Sequence, residues 1–278
     1  MSQTQSNADQ IAYWNTDAGQ KWAAGQERLD AMLAPISAEL IKTAAVRSGE
    51  RVLDVGCGCG DTSIRLAKDG ARVTGVDISR PMLARAKARA ERAGTKDLEF
   101  IEADAAAHRF AEPFDLLFSR FGVMFFADPD AAFANMRKAL KTGGRVAFVC
   151  WRDWRENEWV RVPISAVRPH LPPQPQLGPE DPGPFAFADL ARVRRILAAG
   201  GFDAISARPF DTTLALGETH EDALAHIQDF GPVSRMMAGA TDAEKSKAVA
   251  ALDQALRPFS ERKPVALGAA VWLVTARA

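Results

Sequence analysis

Cysteine, histidine and tyrosine are all scarce in this chain, with three Cys, four His and one Tyr among 278 residues. An odd, low number of thiols (Cys57, Cys59 and Cys150) argues against a disulfide framework and for a reducing compartment. No set of four ligands at zinc spacing is present, so no metal is expected. A charge excess of either sign is also missing, since 35 basic residues face 35 acidic ones. A nucleic-acid binder would show a basic excess or a basic stripe. The basic residues between Arg80 and Arg92 alternate with alanine and read as the solvated face of a helix. No run approaches the ~18 apolar residues that cross a bilayer. The opening MSQTQSNADQ has no apolar core of the secretory kind. The expectation is a cytoplasmic protein with no nucleic-acid partner and no transmembrane segment.

What is present is a 47% hydrophobic chain, enough for a real core in one large domain with an insertion or in two small ones. No internal repeat is visible. The first dozen residues read as a frayed tail. Residues 18–45 carry a helical pattern (Trp22, Leu29, Met32, Leu33) that Pro35 should break or kink. Apolar runs then alternate with helical stretches. The strands are RVLDV, ARVTGVD, LEFIEAD, FDLLFSR and RVAFVCW. The helices open at Asp61, at Ser79-Arg80-Pro81 and at Asp128-Pro129, the last running to Gly143-Gly144. Such alternation implies βαβ crossovers and a mainly parallel sheet.

Beyond Trp151 the order changes. Residues 152–184 read as a long irregular insertion, which inside a compact domain tends to be a functional lid or disordered. A helix near 188–199, a strand (FDAISARPF) and a helical stretch at 218–262 follow, with Thr219 and Asp222 shaped as a capping box. GAAVWLVTARA closes the chain as a strand apolar enough to lie between others.

The chemistry concentrates in RVLDVGCGCGD. A strand that runs into Gly56, Gly58 and Gly60 and then a helix lets backbone approach a ligand closely. The dinucleotide fingerprint G-x-G-x-x-G/A fits at Gly56 and Gly58 but finds Asp61 at its third position, where a carboxylate would repel a pyrophosphate. Asp54 has no use in that reading either. S-adenosylmethionine brings an ammonium and a sulfonium and no phosphate, so a carboxylate at the strand end gains a cation to face. Asp77, ending the next strand, suits a ribose diol, as it would in a dinucleotide site. Ile78 could lie on a purine face, and Asp104, after the third strand, could accept from an adenine amino group.

In the order and spacing of VLDVGCGCG, VTGVDIS, IEADA, FDLLFSRFGVMFF and LKTGGRVAFV, residues 51–151 resemble the core of class I S-adenosylmethionine-dependent methyltransferases. Among these the chain is similar to the ubiquinone/menaquinone C-methyltransferase-like and other small-molecule enzymes. The resemblance implies a Rossmann-like α/β fold with a seven-stranded sheet, ordered 3-2-1-4-5-7-6 with the last strand antiparallel. It places Asp54, Gly56, Cys57 and Gly58 around the methionine moiety and Asp77 on the ribose. Ile78 and Met82 would pack on adenine, Asp104 and Ala105 lie near its edge, and Ser119 near the amino-acid end. S-adenosylhomocysteine would be the product. The sequence departs from the pattern at Cys57 and Cys59. A C-x-C could hold a soft metal or arsenic, but small residues packed beneath the ligand are the favoured reading.

The implied layout is an N-terminal helical lid (1–46) over a methyltransferase domain (47–278) with cap insertions at 152–184 and 218–262. No general base stands out. His108 should lie on the adenine side, and His220 and His226 do not share a helix face. Tyr13, Trp14 and Trp22 could line the lid. Arg120, Phe121, Val123, Trp151 and Trp154, with Met124, Trp159, Arg152, Arg155 and Arg161 nearby, could wall a pocket for an aromatic or apolar acceptor bearing an anionic group. A cofactor binder without turnover, acting in regulation or assembly, and an NAD-dependent oxidoreductase are the alternatives.

Overall fold

The computed structural model describes residues 7–174 and 178–278. Residues 1–6 of the expected lid and 175–177 of the expected insertion lie outside them. The strands are β1 (Arg51–Val55), β2 (Arg72–Asp77), β3 (Leu98–Glu102), β4 (Phe114–Arg120), β5 (Leu140–Trp151), β6 (Asp203–Gly217) and β7 (Val265–Arg277). They form one sheet in the order β3-β2-β1-β4-β5-β7-β6. The pairs from β3 to β5 are parallel, and β7 runs antiparallel to both neighbours. This is the expected α/β topology, with the apolar closing segment inserted between two other strands. Val52, Leu53, Leu116, Leu117 and Phe118 are buried on adjoining strands, as in a sheet covered on both faces.

The helices are α1 (Ala8–Trp14), α2 (Asp17–Ala24), α3 (Gln26–Ala44), α4 (Asp61–Lys68), α5 (Arg80–Arg92), α6 (Pro129–Lys138), α7 (Glu158–Val167), α8 (Leu190–Ala199), α9 (His220–Asp229), α10 (Gly231–Met237) and α11 (Asp242–Leu256). Helix α3 lays Leu29, Met32, Leu33, Ile36 and Leu40, at helical spacing, onto the sheet over β4, β5 and β6. Aromatic packing around Phe133, Phe148, Phe187 and Phe202 joins α6 and the start of α8 to the sheet.

Four expectations need correction. The described part of the tail is helical, because Asn7 and Asn15 fasten α1 to the sheet's ligand edge. Pro35 does not end α3; losing one backbone hydrogen bond costs about 3 kcal/mol, and the buried stripe on either side offsets it. Helix α6 stops at Lys138, and Leu140 to Gly144 already belong to β5. The insertion is not irregular throughout, for α7 and two 3-10 turns order it as far as His170. The capping box at Thr219 and Asp222 is present as expected, and Thr241 and Glu244 form a second.

Candidate functional site

The carboxyl ends of β1, β2 and β4 converge at the point where strand order reverses, the usual ligand crevice of open α/β sheets. At the end of β1, Asp54 is wholly buried. Its Oδ2 accepts from the hydroxyls of Thr62 at 2.8 Å and Ser63 at 2.6 Å. Its Oδ1 is buried without a partner among the described residues. Burial pushes the Asp54 carboxyl up to about 6, against the two hydroxyls that lower it. A buried oxygen left unpaired is costly, which makes Asp54 Oδ1 a candidate point of ligand contact.

The chain then turns sharply. Gly56 sits at φ 68°, and a Cβ there would lie 2.6 Å from the Gly122 Cα. Only glycine permits both the backbone conformation and the approach. Gly58 donates its N–H to Asp77 Oδ2 at 2.8 Å, and Ser79 N–H binds Asp77 Oδ1 at 2.8 Å. Asp77 therefore shapes the turn. Burial raises its carboxyl above the usual range. Met82 lies beneath, its Cε 2.8 Å from a Cβ placed on Gly58. Ile78 is half-buried, and its carbonyl accepts from Asn15 Nδ2 at 2.8 Å. Asp104 follows β3; its Oδ1 accepts from Asn7 Nδ2 at 2.8 Å and from the Ala106 N–H at 2.9 Å. Ala105 is buried, with its carbonyl bound by Asn135.

Ser119 serves the turn. Its hydroxyl donates to the Val55 carbonyl at 2.7 Å and accepts from the Gly122 N–H at 3.2 Å. Cys57 packs on β2, with Sγ 3.0 Å from a Cβ placed on Gly75. Burial raises the Cys57 thiol and pushes Cys59 up to about 12, so both are protonated packing groups. Among the described residues no three metal-binding side chains cluster.

Arg120 is held in a part-buried ion-pair cluster. It donates to Ser37 at 2.8 Å and to Asp61 at 3.2 Å, and lies 3.6 Å from Asp30. Arg89 pairs with Asp30 at 2.8 Å, and Arg65 with Asp61 at 3.0 Å. The cluster rivets α3 to α4, α5 and β4. Asp61 therefore faces arginines, and the case against a pyrophosphate falls on Asp54 alone. Burial first, and Asp61 second, raise the Asp30 carboxyl. Arg120→Met should leave the two acids short of a partner and lower stability by about 3 kcal/mol. Urea unfolding, with a lowered midpoint at unchanged slope, checks this.

The lid residues meet edge to face: Trp14 contacts Tyr13, Trp22 and Phe125 at 5.2, 5.9 and 5.5 Å. Tyr13 and Trp14 end α1 instead of preceding the first helix. The Tyr13 hydroxyl accepts from Arg235 Nη2 at 2.8 Å, which joins α1 to α10. Val123 is fully buried in the core and is not an open wall. Phe121 stacks on Trp151 at 4.2 Å, and Trp151 meets Trp159 at 4.8 Å. Trp154 stands apart from that row, under the Arg155 guanidinium at 5.2 Å.

The histidines sit elsewhere. His108 packs on Phe110 at 4.7 Å, and His220 bridges Ser260 at 2.7 Å and Asp253 at 2.8 Å. Burial lowers His226 to about 4. Sequence reasoning missed Thr62 and Ser63, although two hydroxyls beside Asp61 were a visible signal. It also missed Asn7, Asn15 and Asn157, each of which has a partner remote in sequence.

Comparison with known proteins agrees with this geometry. A methyltransferase-domain family matches residues 52–144. An uncharacterized protein of Mycobacterium tuberculosis is 32% identical over 224 residues, covering 75% of this chain and 79% of the relative. Trans-aconitate 2-methyltransferase of Klebsiella pneumoniae is 32% identical over 158 residues, covering 55% of this chain and 60% of that enzyme. The chain spans 59% of the length of three other mycobacterial relatives, at 35% identity over 165 residues. Phosphoethanolamine N-methyltransferase 2 of Haemonchus contortus, solved with S-adenosyl-L-methionine, shares the fold at TM-score 0.59 and 18% identity, covering 96% of this chain and 59% of that one. With its strand order, its glycine turn and these relatives, the chain belongs to the class I S-adenosylmethionine-dependent methyltransferases.

Proposed function

We propose that this chain is an enzyme that binds S-adenosylmethionine at the ends of β1 to β3 and passes its methyl group to a small molecule held under the cap. The observation that carries the reading is the buried Asp54 carboxylate beside the glycine turn, with one oxygen unpartnered. An α-ammonium supplies the missing donor and the missing cation; a pyrophosphate supplies neither. When bound, the cofactor supplies a methyl group on an already good leaving group.

The chain's own part is to hold and exclude. Asp54 fixes the amino-acid end, the turn at Gly56 and Gly58 lets backbone close on it, and Asp77 grips the ribose. Met82 and Ile78 bracket the purine, with Asp104 and Ala105 at its edge. Ser119 keeps the ends of β1 and β4 in register. Alignment of the acceptor in a dry site does most of the remaining work. Residues 1–46 act as a lid on the 47–278 domain, and 152–184 and 218–262 complete the cap. The Tyr13–Arg235 contact and the Asn7–Asp104 hydrogen bond support that division. Among the described residues no helix is long and apolar enough to cross a membrane. Three buried free thiols fit a reducing cytoplasm.

Calorimetric titration with S-adenosylmethionine, S-adenosylhomocysteine and NAD tests the reading. Saturable binding of the first two and none of the third is expected. NAD binding with no sulfonium binding would defeat it.

A further inference from the structure

The acceptor end of the crevice carries a second pattern that the cofactor does not use. Phe121, the residue after β4, lies at φ 64°. A side chain in that left-handed region costs about 1–2 kcal/mol, and such strain persists where the surroundings enforce it. Here it turns the ring to lie parallel to Trp151, at 4.2 Å and 10°. The following residue, Gly122, packs directly on the Gly56 turn. The row therefore starts beside the cofactor loop and continues outward through Trp159 to Phe185, at 4.8 and 6.5 Å.

Trp159 is held in place. Its Nε1 donates to Asn157 Oδ1 at 3.0 Å, and the wholly buried Asn157 also accepts from the Ala270 N–H at 2.8 Å. The Asn157 amide donates to the Arg152 and Asp153 carbonyls. Phe121 and Trp159 each keep part of their surface open, whereas Trp151 between them is buried.

The arginines interleaved with these aromatics already have partners. Arg152 pairs with Asp211 and Glu156 and lies over Trp272. Arg155 pairs with Asp153, Arg161 with Glu158, and Arg120 with Asp61. Arg235 stands at the rim, over the Tyr13 ring at 4.8 Å. Among these arginines only Arg235 pairs with no carboxylate among the described residues, so an anion held deeper along the row than the rim would lose its water without gaining a cation, which is unfavourable.

We infer that the methyl acceptor is a flat, conjugated and uncharged molecule that stacks against Phe121 and Trp159. This rests on the methyltransferase reading and replaces the expected anionic group with a neutral one. Ring stacking adds to the burial of apolar area and discriminates by shape.

Equilibrium dialysis with 2-naphthol and 2-naphthoate at neutral pH, each with and without S-adenosylhomocysteine, tests it on the whole chain. The two probes share a ring system and differ in charge. Binding of 2-naphthol at least tenfold tighter than 2-naphthoate is expected. Phe121→Gly, which relieves the strained backbone, and Trp159→Leu should each weaken 2-naphthol about tenfold and leave S-adenosylhomocysteine affinity unchanged. Equal or tighter binding of 2-naphthoate would overturn the inference, and its loss in Arg235→Ala would identify an anion site instead. So would binding of neither probe, or 2-naphthol affinity that neither variant alters. Absence of S-adenosylhomocysteine binding would count against the cofactor reading alone, because the arms without it still rank the two probes.

Discussion

Asp77→Ala is expected to weaken S-adenosylmethionine binding about 100-fold. Two hydrogen bonds from ribose hydroxyls to a carboxylate are lost, each worth about 1.5–3 kcal/mol to a charged acceptor, and about 2.7 kcal/mol is a factor of 100. The loss has a second source. The Gly58 and Ser79 N–H groups both end on Asp77 in the protein as it stands. Without the carboxylate they need water, and the turn loses its shape. Asp77→Asn separates the two effects, because an amide oxygen still satisfies one N–H but its NH2 meets the other. Calorimetry should rank affinity as wild type, then Asn, then Ala. Equal affinity in all three would mean that the ribose binds elsewhere.

Asp54→Asn is expected to move stability and binding in opposite directions. The Asp54 carboxyl is raised from 3.8 to about 6 by burial. Between those values the folded state holds a proton that the unfolded state has released. The carboxylate therefore destabilises the fold above about pH 6, and acidification through that window relieves the penalty. Two units correspond to about 3 kcal/mol as an order of magnitude. Asparagine is neutral at every pH and its oxygen can still accept from Thr62 and Ser63, so the variant should gain about 1–2 kcal/mol at neutral pH, less than the full penalty because the buried amide NH2 then needs an acceptor. The melting temperature should rise by a few degrees. Affinity for S-adenosylmethionine should fall at least tenfold, since the ammonium loses its counter-charge.

In the native protein the same charge makes binding pH-dependent. Affinity should be flat above about pH 6 and fall below it, by up to tenfold per unit, as protons compete with the ammonium. Calorimetry in two buffers of different ionisation enthalpy at pH 5.5 would show proton release on binding. A variant less stable and equally tight would make Asp54 a structural acid.

The strands, the glycine turn and the acids at successive strand ends were legible because each is local, whereas the strand order came only from the family resemblance. An apolar run ends, a glycine allows the turn, and an acid stands at the rim. Asp54 shows the limit of that reading. Its position was visible, but its unpartnered oxygen depends on which hydroxyls α4 brings back, and those come from Thr62 and Ser63. The partners of Arg120 were hidden for the same reason. Adjacent to Phe121, it looked like part of one wall, yet its guanidinium reaches α3 and α4 through partners 59 and 83 positions away. The tail was misread because α1 has no buried apolar residue to give it a pattern. Side-chain amides hold it down, and periodicity does not register amides. Pro35 was judged by its local cost, without the buried stripe that tertiary contact supplies.

The cap at 218–262 hangs from a single rung of the sheet. Gly217 and Val265 are direct partners across β6 and β7, so everything between them leaves and returns at one place. Exchanging such an excursion changes no strand register, and loop-closure entropy rises only slowly with its length. Residues 218–262 can therefore drift or be exchanged as a module while the seven strands stay as they are.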